Sequence, residues 1–357
     1  MDGKTDISAM LELIARPAFT VLDGHVASVN QAAGNLLITA QTPISDWLPA
    51  IPEELQTLSD GCLFLTLHIH RMPIGASVTR QDNAYLFVLD EPDTQPQLQA
   101  LSLAAKALRT PLSGAMLAAE KLSKTENAPS DFKKDAASLN QHLHQLLRVI
   151  CNMSDAQRYT QSSAGSLPLR NATALFREIF DKAGQLIKQA GIELRYQDPE
   201  EPIICPLDEE KLERAIYNLL SNAIKASSKP AILDVELRRK NNRLLLSIRD
   251  YGEGFRRELL STAYSRYQRQ PGVEDTSFGI GLGMVLVRSA AAAHQGTVLI
   301  DHPAGGGTRV TLSLKIMPMQ DATFRNNPVF FDYSGEREHG LVELSEHLPT
   351  HLYTNES

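Results

Sequence analysis

The chain has 357 residues and a formal net charge of −7, a length that suggests two or three domains at roughly 150 residues each. Its 43% hydrophobic and 22% charged residues exclude a disordered polymer, and the acidic balance argues against nucleic acid as the main partner. Cys62, Cys151 and Cys205 stand far apart in no metal-ligand spacing and read as buried free thiols in a reducing compartment. "MDGKTDISAM" has neither the basic start nor the apolar core of a leader, and no window nears ~18 consecutive apolar residues. The expectation is a cytoplasmic protein without a membrane span.

Residues 9–91 predict a small mixed α/β unit. "AFTVLDGHVASVN" is two alternating runs joined by Asp23-Gly24, a strong hairpin signal. "QAAGNLL" follows as a short helix. Leu63, Leu65, Leu67 and Ile69 then alternate with Phe64, Thr66, His68 and His70, predicting a half-buried strand. "NAYLFVLDE" is a further strand. This order, with "VNQAAGNLL" after the first hairpin, resembles a PAS domain. His68 and His70 share a strand face and read as a solvent-facing pair.

The polar "DEPDTQPQ" marks a boundary, after which the apolar period lengthens. Leu101, Ala105, Leu108, Leu112, Ala115, Ala119 and Leu122 alternate in steps of 4 and 3. Ala136, Leu139, Leu143, Leu146, Ile150 and Met153 do the same after the turn "SKTENAPSD". Two heptad helices with a short link predict an antiparallel hairpin. One hairpin leaves an apolar stripe uncovered, so a homodimer closing a four-helix bundle is expected. Lys106 falls one residue off the seam, facing solvent, and Pro111 lies inside the first helix, where it imposes a kink.

The second half holds the strongest chemistry. In "DEEKLERAIYNLLSNAIKAS", Leu212, Ile216, Leu219 and Ala223 form an apolar helical stripe, with Asn218, Asn222 and Lys225 on another face. Two amides and an ammonium so aligned suit a hydrated Mg²⁺ and triphosphate oxygens. "LLLSIRDYGEGF" is a strand entering Asp250-x-Gly252-x-Gly254, a tight turn whose backbone can approach a flat ligand. There Asp250 would accept from the amino group of adenine. In "FGIGLGMVLVRSAAAAHQG", Gly279, Gly281 and Gly283 open a helical run whose first N–H groups suit phosphate.

"NLLSNAIK", "DYGEGF", "FGIGLGM" and "GGGTRVTLSL", in this order, resemble the ATP-binding domain of the GHKL superfamily in its sensor histidine kinase branch. The resemblance implies an α/β sandwich holding Mg·ATP under a lid, here 256–278. It implies that Asn222 ligates Mg²⁺ with help from Asn218, that Asp250 reads adenine and that Thr308 supports it. Tyr264 and Tyr267 stand where the family usually has phenylalanines, and Arg266 and Arg269 keep the basic spacing. Lys225, Gly252, Gly254, Tyr267, Arg269, Gly279, Gly281, Leu282, Gly283 and Thr308 complete the implied ATP-binding set. ATP-hydrolysing members of the superfamily carry a glutamate base where this chain has Asn218, and an amide cannot take a proton from water. Vigorous hydrolysis is not expected.

"LRTPLSG" is similar to what sensor histidine kinases carry directly after their phosphorylated histidine, but Lys106 stands in that histidine's place and Ala107 in that of its acidic neighbour. An ammonium is no nucleophile and alanine is no base, so ordinary autophosphorylation is lost. His142 and His144 on the second helix are conceivable substitute acceptors, and Thr110 stands where the family residue that orients water for phosphatase action would be.

The fold class expected is multi-domain α+β: a PAS-like sensor unit (1–92), a dimerisation hairpin (93–162), a histidine-kinase-like ATP-binding domain (163–317) and a tail (318–357). The leading expectation is a signalling pseudokinase, read by a response regulator or a partner histidine kinase. The alternatives are a kinase using another acceptor or acting in trans, and a response-regulator phosphatase. In the tail, "PVFFDYSG" is too aromatic for an idle linker, and packing back on the core or docking a partner both stay open.

Overall fold

The computed structural model describes residues 11–48, 50–90, 95–125, 129–160, 167–227, 230–254, 282–316 and 338–354. Its spine is one ten-stranded sheet, whose strands lie side by side in the order 25–29, 18–22, 84–89, 72–81, 61–69, 297–301, 309–315, 243–249, 231–240 and 192–197. The sheet is built from two five-stranded halves, each with its own core.

The N-terminal half comprises β1 (Ala18–Leu22), β2 (His25–Val29), β3 (Gly61–Ile69), β4 (Met72–Gln81) and β5 (Ala84–Leu89). Asp23 and Gly24 both take positive φ, as the tight hairpin between β1 and β2 requires. Asn30 caps the short helix α1 (Gln31–Asn35), its Oδ1 accepting the Ala33 N–H at 2.9 Å. Helix α2 (Glu53–Gln56) follows before β3. Phe19, stacked on Phe87 and edge-on to Trp47, centres the core between strands and helices.

β3 departs from simple alternation. Leu63, Leu65, Leu67 and Ile69 face the N-terminal core, but Phe64, expected on the polar face, is also buried. The reason is the pairing of β3 with β11 (Thr297–Asp301), which carries Phe64 and Cys62 into the second core. The Arg288 guanidinium lies 4.8 Å from the Phe64 ring and bonds the Asp90 carboxylate at 2.5 Å, pinning the two halves together. His68 and His70 are exposed, and His70 already belongs to the β3–β4 turn.

Helix α3 (Gln95–Ser123) runs unbroken through Pro111 and packs on α4 (Ser130–Thr160) as a hairpin. The interhelical core holds Ala105, Leu112, Met116 and Ala119 against Leu143, Leu147 and Ile150. The other members of the heptad rows point away: Leu108, Leu122, Leu139 and Leu146 are exposed, as are Ala115 and Phe132. One hairpin can cover only one side of each helix.

The C-terminal half orders β11, β12 (Arg309–Lys315), β10 (Arg243–Arg249), β9 (Ala231–Lys240) and β7 (Ile192–Gln197), the last pair parallel. A separate ribbon pairs β6 (Leu169–Asn171) with β8 (Ile204–Pro206). Helices α5 (Ala172–Lys188), α6 (Glu209–Ala226) and α7 (Leu282–Ala293) cover this sheet, burying Phe176, Phe180, Ile216 and Val287 against Leu233, Leu246 and Leu312. The sheet with its layer of helices is an α/β sandwich. All three cysteines are buried free thiols. The tail folds back: α8 (His339–Glu343) and the residues after it lie against α4, α5 and α6. "PVFFDYSG" lies outside the described residues. Among the described residues no helix is long and apolar enough to cross a membrane.

Candidate nucleotide site

α6 is the axis of the site. Asp208 caps it, accepting the Lys211 N–H at 3.1 Å, and Glu209 and Glu210 suit the positive end of its dipole. Its apolar stripe enters the core and leaves Asn222 and Lys225 on the outer face. Asn218 is 2% exposed. Its Nδ2 donates to the Arg214 carbonyl at 2.9 Å, while its Oδ1 lies where a Cβ on Gly283 would come within 2.6 Å. Gly283 therefore lets the start of α7 close on α6. The neighbouring Leu282 is buried against Met153 of α4.

The β10 strand delivers Asp250 beside the C-terminal end of α6. Any Cβ on Gly252 would collide with the Ala226 carbonyl, so glycine is what allows the turn to rest on that helix. Asp250 is 4% exposed and its Oδ1 accepts two backbone N–H groups, from Gly252 at 2.9 Å and Thr308 at 3.1 Å. Burial pushes the carboxyl above its ordinary value, while those two bonds and the charges of His302 and Arg249 act against the rise. Gly254 and Gly307 have φ of +78° and +79°, and a Cβ on Gly307 would strike the Asp250 carbonyl.

These features fit an adenine. Oδ2 of Asp250 is left for a donor such as the exocyclic amine, and the buried Thr308 hydroxyl has no partner among the described residues. The close glycine backbones admit a flat ring. Asn222 offers an amide oxygen of the kind Mg²⁺ accepts. Lys225 now bonds Glu346 of the tail at 2.5 Å. Tyr264, Arg266, Tyr267, Arg269, Gly279 and Gly281, with the whole expected lid, lie outside the described residues.

Two residues that sequence reasoning missed hold the site together. His294, on the loop after α7, is buried; its Nδ1 bonds the Ala290 carbonyl at 2.7 Å and its Nε2 accepts the Asp208 N–H at 3.0 Å. Arg214 on α6 is buried and paired with Asp155 of α4, joining the hairpin to the site. Neither belongs to a motif, although a basic residue within a buried helix stripe is a signal for such a pair. On the hairpin, Lys106 and Thr110 are exposed on α3 and His142 is exposed on α4. His144 is not a bundle flank; it is buried edge-on against Tyr353 of the tail, with Nδ1 bonded to the Asn140 carbonyl at 2.8 Å.

Residues 207–318 match the family described as histidine kinase-, DNA gyrase B-, and HSP90-like ATPase. The chain is 26% identical over 257 residues to the adaptive-response sensory kinase SasA of Crocosphaera subtropica, covering 68% of this chain and 66% of that protein. It is 28% identical over 225 residues to the sensor protein SphS of Synechococcus elongatus, covering 60% and 54%. The solved structure of the histidine kinase ThkA in complex with response regulator protein TrrA matches at 13% identity, covering 87% of this chain and 99% of that one, with a TM-score of 0.44. The chain spans less than two thirds of the length of the curated relatives it matches.

Proposed function

From an ATPase domain of the sensor histidine kinase family at residues 207–318, we propose that this chain is a two-component signalling protein that binds Mg·ATP but has lost the phosphoacceptor of a working kinase. The observation that carries the reading is the contrast between two sites. Around α6, the Asp250 turn, the Thr308 backbone and the start of α7 are assembled with the close glycine contacts a nucleotide needs. On α3, the exposed place of an acceptor holds Lys106, whose ammonium has no lone pair to attack phosphorus.

In this reading Asp250 accepts from adenine, Asn222 and Asn218 serve Mg²⁺, and Lys225 meets the phosphates. Magnesium bound with the triphosphate would neutralise its charge. Asn218, whose side-chain amide donates a hydrogen bond to the Arg214 carbonyl of its own helix, is no base for water, which keeps bound ATP intact as a signal. The exposed heptad rows through Leu108, Ala115 and Leu122 and through Phe132, Leu139 and Leu146 form a homodimer face. The PAS-like unit is the sensor, and a response regulator or partner histidine kinase is the reader.

The competing reading, a kinase with another acceptor or acting in trans, rests on His142 alone within the hairpin, because His142 is exposed and His144 is not. Thr110, exposed one turn after Lys106, keeps a response-regulator phosphatase as its variant. Titration calorimetry with Mg·ATP tests the core of the proposal: saturable binding by the wild type that Asp250→Asn weakens supports it, and no binding by the wild type refutes it.

A further inference from the structure

The segment 338–354 touches the hairpin and the nucleotide helix at once. On the α6 side, Glu346 bonds Lys225 at 2.5 Å, His347 Nε2 lies 2.9 Å from Ser221 Oγ, and Glu343 lies 3.8 Å from Arg214. On the α4 side, Arg148 reaches both Glu343, at 3.4 Å, and Glu346, at 3.5 Å. Gln141 donates to the Ser345 and Leu348 carbonyls at 2.9 and 2.8 Å, and Asn140 to the Tyr353 carbonyl at 2.9 Å. The Glu343 side chain is 0% exposed. A fully buried carboxylate persists only when cations compensate it, and here they come from two separate helices. The segment is a specific clamp.

Its place on Lys225 bears on the ligand. A triphosphate approaching that ammonium meets the Glu346 carboxylate already at bonding distance, and two anions crowding one half-buried cation repel each other. Although burial raises the Glu346 carboxyl, the hydrogen bond from Lys225 and the charge of Arg148 hold it below its ordinary value, so it stays ionised at neutral pH.

We propose that residues 338–354 are an autoinhibitory strap: Glu346 holds Lys225 against the triphosphate, and triphosphate binding lifts the strap from α6 and α4 together. The inference rests on the nucleotide reading above. It supplies an output for bound ATP, because the bonds that release Lys225 are continuous with those that cover His144 and tie α4 to α6.

The test compares Mg·ATP and AMP binding to the full chain and to Glu346→Gln, an isostere that keeps the strap's shape. ATP binding is expected to tighten roughly fivefold or more in the variant, with AMP binding, which lacks the terminal phosphates, unchanged. Backbone amides of Ser345–Tyr353 in the wild type are expected to exchange faster with Mg·ATP and not with AMP. Wild-type ATP binding that Glu346→Gln leaves unaltered, with strap exchange indifferent to ATP, would overturn the strap while sparing the nucleotide site. Failure of both proteins to bind either nucleotide would overturn both.

Discussion

Asp250 and Thr308 exchange hydrogen bonds in both directions. The Thr308 N–H donates to Asp250 Oδ1 at 3.1 Å, and the Asp250 N–H donates to the Thr308 carbonyl at 2.9 Å. This reciprocal pair fixes a buried carboxylate whose desolvation is only partly compensated, an arrangement suited to a ligand and costly without one. Asp250→Asn should therefore do two opposite things. A carboxyl raised above its ordinary value disfavours folding wherever the unfolded chain would ionise it, so the neutral amide should raise the melting temperature of the free protein at pH 7. The same change should weaken ATP binding by roughly 10–150-fold, the weight of a hydrogen bond to a charged group. Thermal melts with and without Mg·ATP measure both.

Gly307 couples this pair to the end of the sheet. Its φ of +79° and the collision a Cβ would make with the Asp250 carbonyl are independent penalties. Gly307→Ala should destabilise the fold by about 2 kcal/mol or more, read as a lowered urea midpoint with an unchanged m-value.

The Asp250 turn was legible in the sequence because its determinants are local: a carboxylate, two glycines and a strand before them. The β1–β2 hairpin was legible for the same reason at Asp23-Gly24, and the helix pair from its period. What stayed hidden was long-range. Phe64 reads as the polar face of β3 until β11 pairs with it, and no local pattern announces that one strand edge will meet another. Likewise no local pattern in "LVELSEHL" announces that Glu343 will be buried, since Arg148 and Arg214, which compensate it, lie far away in the chain. The heptad rows, by contrast, were legible down to the apolar stripe that one hairpin leaves uncovered at Leu108, Leu122, Leu139 and Leu146.

His294 predicts an acid-sensitive fold. Burial holds its imidazole below the ordinary value near 6.5, and its two nitrogens are committed to the Ala290 carbonyl and the Asp208 N–H. The unfolded chain takes up a proton first, so the contribution of His294 is full above pH 6.5 and is lost as pH falls towards the folded value, with a slope of up to about 1.4 kcal/mol per pH unit. His294→Gln should flatten the stability profile between pH 5 and 6.5 in urea titrations, at the cost of a looser start to α6.

The exposed rows predict the assembly. Leu139→Glu with Leu146→Glu places charge on the uncovered side of α4, away from the core of its own hairpin. Sedimentation should show a wild-type dimer and a folded monomeric variant, with dimer affinity weakened at least about 100-fold. A wild-type monomer would refute the bundle.

The central claim, an intact nucleotide site beside a lost acceptor, is tested most directly by incubating the full chain with γ-labelled Mg·ATP and following protein-bound label and ATP-dependent thermal protection together. Protection without label is expected. Label that appears on the protein and disappears with Asp250→Asn would contradict it, and would make this chain a working kinase with an acceptor such as His142.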